Sequence, residues 1–446
     1  MSDIVTEFIN RYSISEFECL FPDLTGSAKG KIIPAQKYLK DRGFRLPEVI
    51  FFQTVTGNAP DDLDDLASEA EQDMILKPDY DTLCRVPWAK DPTALVIHDC
   101  VHKDDNLVEY APRNVLKRVL QYYTDKGLEA MVAPELEFYL TQIEASPHNP
   151  LKAPLTRFHR PEGAGKGYSM DALNNFDPYL ETIYQYCEMQ GMDIDTLNHE
   201  YGTAQLEINF RHGQAIKLCD QVFLFKRICR EAAIHYQMYA TFMAKPIENQ
   251  PGSSMHFHQS VIDKKTGKNI FVDDQGNYSQ AFYHFIGGLQ RYIPLTMSLY
   301  APNVNSYRRL VPGFSAPINV EWGIDNRTVG LRIPMSSAEN TRIENRLAGV
   351  DVNPYIAIAA SLAAGYLGMT EKIEPRDMFE GDAGKGKTDL PLSLDESLQE
   401  LGIPNMIHNI LGNRFIKAYR LVKKSEYEDY SQVISSWERE HLLLNV

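Results

Sequence analysis

The sequence predicts an α+β protein with two domains, a small strand-rich one followed by a larger one in which strands and helices alternate. With 446 residues, 43% of them hydrophobic, the chain is long enough for two or three domains with a large core. Short apolar runs separated by turn residues fill the first hundred positions, whereas helical spacing begins after Val101. The polar stretch HKDDN lies between the two patterns. We therefore place a boundary near residue 106, giving domains 1–106 and 107–446.

Local patterns predict the individual elements. Residues 17–34 read as an apolar strand, a D-L-T-G turn and a second strand. Residues 111–128 carry apolar side chains at helical spacing and end at a glycine, after which residues 132–140 alternate like a strand. Residues 354–369 are almost entirely small and apolar, which predicts a buried helix with Asn353 as its N-cap.

Composition excludes several classes of function. The formal charge of −15, from 60 acidic and 45 basic residues, argues against nucleic acid as a main partner. The six cysteines form no C-x-x-C pair, and the N-terminus has no basic start followed by an apolar run. We expect no disulfides, no secretory signal and a reduced, cytoplasmic setting. The longest small-apolar stretch is too short to span a bilayer, so no membrane partner is expected.

Acidic side chains alternate with apolar ones in two predicted strands. Glu135 and Glu137 share one face of the segment PELEF, and Glu207 lies on the polar face of QLEINF. Carboxylates placed side by side repel unless a cation or water separates them. Glu200 has the wrong parity for the second strand, but Gly202 allows a turn that returns it to the same site.

Imidazole and guanidinium groups follow the same pattern. His256, His258 and Ser260 share a strand face after a glycine at 252, and the acidic neighbours favour Mg²⁺ or Mn²⁺ over zinc. A zinc-protease motif after His199-Glu200 fails because residue 203 is Thr. Arginines alternate with core residues further on, where they either form structural salt bridges or bind carboxylate and phosphate: Arg308, Arg309, Arg327, Arg332, Arg342 and Arg346. Acids for divalent metals beside arginines are the equipment of phosphoryl transfer.

One motif is rejected on its context. Residues 381–388 match the phosphate-binding pattern G-x-x-x-x-G-K-[ST]. Such a loop follows an apolar strand and opens a helix, whereas here EPRDMFE precedes it and Pro391 follows shortly. We interpret the segment as a surface loop.

Together these segments resemble the glutamine synthetase superfamily over nearly the whole chain. The matching signatures, in order, are PELEFYL, NHEYGTAQLEINF, KPIENQPGSSMHFHQS, NSYRRLVPGFSAP, DNRTVGLRIP and RIENRLAGVDVNPY. The resemblance implies a small β-grasp N-terminal domain before a catalytic domain. It further implies a homo-oligomer of stacked rings, usually a dodecamer, with active sites between neighbouring subunits.

The resemblance also implies roles for individual residues, with ATP as co-substrate and two or more Mg²⁺ or Mn²⁺ ions in each active site. One metal ion would be held by Glu137, Glu200 and Glu207, and a second by Glu135, His256 and Glu344. Nucleotide contacts would come from His258, Ser260, Arg332 and Arg342. Glutamate would be bound by Gly252, Arg309 and Arg346, while Arg327 and Arg332 would stabilise the transferring phosphoryl group.

Departures from the family pattern concern the nitrogen donor. Glutamine synthetases have a glutamate in the stretch G-[YF]-E-A-P, where Ser315 stands here, and the N-terminal segment F-D-G-S-S-I is absent. Pro251 and Glu339 replace a family Asn and a family Lys. The pattern is similar to γ-glutamylpolyamine (glutamate–putrescine) ligases, which predicts a polyamine as acceptor. The base remains unassigned, and the acidic residues Asp61, Asp62, Asp64 and Asp65 are one candidate site for a distal ammonium group.

Two alternatives stay open. In one of them, the acceptor is methylamine, another alkylamine, an aromatic amine or ammonia. In the other, the chain is a non-catalytic assembly protein built on the same fold, although a complete set of metal ligands has no purpose there.

Overall fold

The computed structural model describes residues 4–446 except 62, 64, 65, 67–71, 145, 164, 312–315 and 387. Strands of these residues form a five-stranded and a nine-stranded sheet, accompanied by helices. The α+β prediction is confirmed. The strands are β1 (Glu16–Pro22), β2 (Ala28–Pro34), β3 (Phe44–Pro47), β4 (Asp73–Arg85), β5 (Thr93–Val101), β6 (Leu128–Gln142), β7 (Ile194–His199), β8 (Gln205–Phe210), β9 (Gly213–Gln214), β10 (Met238–Thr241), β11 (Met255–Asp263), β12 (Trp322–Ile324), β13 (Leu331–Ile333) and β14 (Ile343–Asn345).

The helices connect these strands and cover the sheets. They are α1 (Ile4–Tyr12), α2 (Ala35–Asp41), α3 (Pro112–Thr124), α4 (Met170–Leu173), α5 (Asp177–Met189), α6 (Ala215–His235), α7 (Gln280–Tyr292), α8 (Val304–Tyr307), α9 (Pro354–Glu371), α10 (Leu394–Leu401), α11 (Met406–Leu411), α12 (Asn413–Ser431) and α13 (Ser436–His441). None of the described helices is long and apolar enough to cross a membrane. All six cysteines are buried and free.

The small sheet is mixed, with strand order β2-β1-β5-β4-β3 and a parallel pairing between β1 and β5. On one face, α1 and α2 enclose a small core in which the rings of Phe17 and Tyr38 stack at 4.1 Å. On the other face, Leu95 and Ile97 join the main core of the protein. Alternate side chains along β5 therefore pack into the small core on one face of the sheet and into the main core on the other.

The large sheet has the order β12-β13-β14-β11-β6-β8-β7, with β9 and β10 also paired to β6. β6 is its longest strand and pairs antiparallel with both β8 and β11. Side chains on one face of β6 thus meet those of two neighbouring strands. The polar face predicted for residues 135 and 137 lies at the centre of this arrangement.

A buried salt bridge joins the small sheet to the helices under the large one. Arg113 on α3 is 3% exposed, and its Nε and Nη2 each donate to Asp220 of α6 at 2.9 Å. The same guanidinium contacts Asp79 of β4 and Asp99 of β5. Three carboxylates from two parts of the fold therefore share one cation, which balances the cost of burying it.

Helix α9 forms as predicted, since Pro354–Gly368 is buried throughout and the Asn353 side chain caps it by accepting from the Tyr355 N–H at 3.1 Å. It packs against α7 at close range because both helices present glycines at the crossing. A Cβ on Gly288 of α7 would lie 2.2 Å from the carbonyl oxygen of Ala364. Such contact is shorter than any real side chain tolerates, so the helices must separate if the glycine is replaced.

We expect Gly288→Ala to lower the free energy of unfolding by about 2 kcal/mol through overpacking of the α7–α9 contact. Thermal and urea unfolding followed by circular dichroism measure the change. Gly163→Ala is the matched control, because nothing lies within 4 Å of its added Cβ. Equal stability of the two variants would contradict the tight crossing.

Candidate active site

The site begins on β6, where alternation separates acidic from apolar side chains. Leu136 and Phe138 are fully buried in the core. Glu135 and Glu137 face the opposite side and line a cavity of about 710 Å³. The predicted shared face of the two carboxylates is confirmed.

Antiparallel register extends this face across five strands, from β8 through β6, β11 and β14 to β13. The facing pairs are Glu137 with Glu207, Glu135 with His256, His258 with Glu344, and Glu344 with Arg332. Side chains directly opposite each other in neighbouring strands lie close together. Segments far apart in the chain therefore converge on one patch of sheet.

Glu200 reaches the same face through a turn, as the glycine at 202 predicts. The turn between β7 and β8 closes with the Glu200 N–H donating to the Gln205 carbonyl at 2.8 Å. A Cβ on Gly202 would lie 2.0 Å from the Tyr139 hydroxyl, so a side chain does not fit there. The Asn198 side chain donates to the Glu200 carboxylate at 3.0 Å.

Most predicted site residues share the 710 Å³ cavity. They are Glu135, Glu137, Glu200, Glu207, Gly252, His256, Arg309, Arg327, Arg332, Glu344 and Arg346. The remaining three, His258, Ser260 and Arg342, line an adjoining cavity of about 1350 Å³. Glu135 and Asn209 belong to both walls, so the two cavities meet at the centre of the sheet face.

The acids of the cavity fall into two electrostatic groups, and burial raises the pKa values of the first group. Burial, then the neighbouring Glu200, raises the pKa of Glu137 to about 8. Burial, then Glu137 and Glu135, raises the pKa of Glu207 to about 9. Burial also raises the pKa of Glu200. Crowded, buried carboxylates fit a divalent metal ion, which would favour their charged forms.

The second group is already paired with nitrogen donors. His258 Nε2 lies 2.9 Å from Glu135 Oε1, and such contacts outweigh burial and hold the pKa of Glu135 well below its ordinary value. Glu344 accepts from Arg332 at 2.8 Å and from Arg346 at 2.7 Å. Although burial opposes ionisation, Arg346 and the histidines keep the pKa of Glu344 low.

Two overlapping triads have ligand atoms within 4.8 Å of one another: Glu135, Glu207 and His256, and Glu135, His258 and Glu344. The predicted set of Glu135, His256 and Glu344 is not one of these two triads, although His256 lies near both carboxylates. His256 Nδ1 lies 3.6 Å from Glu135 Oε2 and 3.8 Å from Glu344 Oε1. The oxygen-rich donors suit Mg²⁺ or Mn²⁺. The assignment of ligands to individual ions stays a prediction.

Arg309 is the most deeply buried arginine of the cavity, with 2% exposure. A Cβ on Gly252 would lie 2.4 Å from its Cγ, which explains the glycine. Its Nη1 donates to the Ser254 hydroxyl at 3.1 Å, and its Nη2 donates to the Leu347 carbonyl. Burial lowers the pKa of Arg309 to about 10, opposed by Glu137 and Asp351, so the guanidinium stays charged at neutral pH.

Other cavity residues were not predicted. Alternation along β8 could have identified Asn209, because it shares the strand face of Glu207. No sequence pattern could have identified Tyr168, since it lies in an irregular segment. Asp382 and Lys385 belong to the rejected phosphate-loop match and nevertheless line the cavity.

Among its described residues, segment 381–388 neither follows a strand directly nor opens an α-helix, as a phosphate-binding loop of this pattern would. It forms a short 3₁₀ helix, Ala383–Lys385, while Lys387 lies outside the described residues. Its backbone bonds to the residues on either side of Arg327. Asn326 Nδ2 donates to the Gly381 carbonyl at 2.9 Å, and the Ala383 N–H donates to Thr328 Oγ1 at 2.9 Å. The segment therefore reaches the site as a neighbour of Arg327.

Some residues that the sequence singles out lie outside the described part of the chain. Ser315 lies in the undescribed stretch 312–315, and Asp62, Asp64 and Asp65 are likewise undescribed. Asp61 and residues 51–57 are described, and they line neither of the two site cavities.

Comparison with known proteins identifies relatives along the full length. Residues 109–442 match the family "Glutamine synthetase, catalytic domain". A glutamine synthetase of Pyrococcus abyssi is 35% identical over 95% of this chain and 92% of its own length. The γ-glutamylputrescine synthetase PuuA of Escherichia coli strain K12 is 33% identical over 99% and 94%. A glutamate–isopropylamine ligase of a Pseudomonas species is 32% identical over 97% and 96%.

Structural comparison agrees. The solved structure titled "Apo GmaS without ligand" superposes with a TM-score of 0.85 at 26% identity and covers 100% of both chains. The similarity therefore extends to the whole fold.

The raised pKa values of Glu137 and Glu207 predict that metal binding displaces protons. We expect the affinity for Mn²⁺ to increase from about pH 6 to about pH 8, because proton competition weakens as these carboxyls ionise. Calorimetry in buffers of different ionisation enthalpy should detect proton release near pH 7. Glu207→Gln should lower both affinity and proton release, whereas Glu181→Gln on the exposed side of α5 should change neither. Affinity that does not vary with pH would refute the interpretation.

Proposed function

Because the chain belongs to the glutamine synthetase family, a family of carbon–nitrogen ligases, we propose that it is an ATP-dependent glutamate–amine ligase acting on putrescine or another polyamine. The product would be a γ-glutamylamide formed through γ-glutamyl phosphate. Such a reaction would belong to polyamine utilisation in the cytoplasm. Relatives named glutamine synthetase, γ-glutamylputrescine synthetase and glutamate–isopropylamine ligase are 35%, 33% and 32% identical, so the amine is the part that needs an experiment.

One observation carries the ligase proposal: acids and arginines from separate segments of the chain line a single cavity. Glu137, Glu200 and Glu207 supply carboxylates, while Arg309, Arg327 and Arg346 supply guanidinium groups within the same walls. A phosphoryl transfer needs both, since like charges on the nucleotide, the carboxylate and the moving group must be neutralised together.

The first step would use the arginines of this cavity. Arg309 and Arg346 would hold glutamate so that an oxygen of its γ-carboxylate attacks the γ-phosphorus of ATP. The bond from that phosphorus to the β-phosphate oxygen breaks and ADP leaves. Arg327, which is exposed in the cavity, would spread the charge of the transferring group, and Arg332 would assist it.

The divalent ions, when bound, would neutralise the phosphates and polarise the phosphoryl oxygens. Glu137, Glu200 and Glu207 would hold one ion, and Glu135, His256 and Glu344 the other. His258, Ser260 and Arg342 would orient the nucleotide from the adjoining cavity. Arg332 and Arg346 fix the position of the Glu344 carboxylate in advance.

The second step would differ from that of glutamine synthetases. An alkylamine has a pKa of about 10, so it must lose a proton before its nitrogen attacks the γ-carbonyl carbon and phosphate leaves. Ser315 stands where those enzymes have a carboxylate that handles ammonium. Loss of that carboxylate supports an acceptor other than ammonia.

The domain division and assembly belong to the same proposal. A boundary near residue 106 is supported by its position between the end of β5 at Val101 and the start of α3 at Pro112. Stacked rings, usually of twelve subunits, would place active sites between neighbours. A non-catalytic assembly role is the second candidate, and the complete set of metal ligands in one cavity argues against it.

We expect putrescine to support ATP- and glutamate-dependent phosphate release with a kcat/KM at least about tenfold above that for ammonia. The comparison uses putrescine, spermidine, methylamine, isopropylamine, aniline and ammonia with the same enzyme, and mass spectrometry identifies the amide. Equal use of ammonia would contradict the polyamine proposal. Absence of turnover with every amine would favour the non-catalytic alternative.

We expect Arg327→Ala to lower kcat by about 10²-fold or more, with little change in the KM for glutamate, because its charge is needed in the transition state. Steady-state phosphate release measures both constants. Arg308→Ala is the matched control, since Arg308 contacts the Tyr430 hydroxyl at 3.1 Å and lines neither site cavity. A reduced kcat in the control, or an unchanged one in Arg327→Ala, would contradict the assigned role.

A further inference from the structure

Arg309 lies at the back of the active-site cavity, and its buried charge needs a permanent partner. Two described carboxylates favour its charged form, Glu137 and Asp351, while Arg346 opposes it. Glu137 faces the cavity, where the proposed function assigns it to a metal ion. Asp351 does not line that cavity and favours the charged arginine from outside it.

Asp351 stands outside the active-site cavity. It lines a separate cavity of about 880 Å³ between α6, α12 and the small sheet. Its Oδ1 and Arg309 Nε are both buried, and neither atom has a hydrogen-bond partner among the described residues. A Cβ added to Gly349 would lie 2.4 Å from Asp351 Oδ1 and 3.7 Å from Arg309 Nε. The absence of a side chain on Gly349 keeps this approach open.

The other oxygen of Asp351 holds the segment that carries Arg309. Oδ2 accepts from Asn303 Nδ2 at 2.8 Å and from the Ser306 hydroxyl at 2.6 Å. Asn303 is the N-cap of α8 and Ser306 lies within it, three residues before Arg309. The Arg309 N–H in turn donates to the Ser306 carbonyl at 3.1 Å. Asp351 therefore sets both the backbone and the electrostatic environment of the arginine.

The same network continues into helix α12 and the small sheet's loops. Asn303 Oδ1 accepts from Lys423 at 3.4 Å, and Lys423 also bonds to Glu426 at 2.7 Å. Glu426 accepts from the Val55 N–H at 2.8 Å. These contacts keep Asn303 and its bond to Asp351 in place.

We infer that Asp351 is a positioning residue for glutamate binding: it holds α8 and balances the charge of Arg309 from outside the cavity. The inference rests on the proposed function, in which Arg309 binds glutamate. Asp351 touches neither substrate nor metal in this view. It acts by keeping the guanidinium charged and directed at the substrate carboxylate.

Asp351→Asn tests the inference by removing the charge while keeping the size of the side chain. We expect the KM for glutamate to rise by about tenfold or more, because a buried arginine has lost its partner. The KM for ATP should change less than about threefold, since His258, Ser260 and Arg342 would contact the nucleotide from the adjoining cavity. A purely structural role predicts no such split between the two substrates.

Asp220→Asn is the matched control, because it removes the charge of a buried aspartate paired with Arg113, and neither residue lines a site cavity. Both variants should lower Tm, but only Asp351→Asn should raise the KM for glutamate. An unchanged KM in a folded Asp351→Asn protein would overturn the inference.

Ser306→Ala provides a second measurement if Asp351→Asn does not fold. It removes one hydrogen bond to Asp351 and should raise the KM for glutamate in the same direction by about threefold. An unchanged KM in this variant would count against the inference. If wild-type protein shows no glutamate-dependent turnover, the proposed function fails instead, so the two failures are distinguishable.

Discussion

Repulsion among carboxylates on one face of the large sheet is the constraint on which the rest of the site depends. Glu137, Glu200 and Glu207 lie together at partial or full burial; burial raises the pKa of all three, and neighbouring carboxylates raise the pKa values of Glu137 and Glu207 further. Burying such charge without compensation costs several kcal/mol per group. Such a group of acids fits a divalent metal ion, which would balance the charge.

Rigid apolar packing beneath the sheet makes that crowding possible. Leu136 and Phe138 fix the strand whose other face carries the acids, and the buried helix α9 supports the sheet from below. Close glycine contacts between α7 and α9 leave little freedom for the layer to move. Side chains that repel one another stay in place because the backbone that carries them cannot relax.

Several charged residues of the cavity have partners of opposite charge. Glu344 is paired with Arg332 and Arg346, and the Arg309 guanidinium is balanced by Asp351 from outside. The first carboxylate group, formed by Glu137, Glu200 and Glu207, lines the same cavity as Glu344. One cavity therefore holds both charge pairs that fix side chains in position and carboxylates that face the proposed substrates.

Sequence alone determined the α+β class, the polar strand faces and the turn at Gly202, because alternation and glycine placement are local properties. The family signatures determined the residues of the site, and the structure brings most of them into one cavity. Strand register was decided only by the tertiary structure, since it sets Glu137 opposite Glu207 and Glu344 opposite Arg332 across long separations in the chain. The same holds for Asp351 behind Arg309 and for Lys385 at the cavity wall, whose sequence neighbours give no sign of it. Contacts between distant segments depend on packing of the whole chain, and local pattern does not encode them.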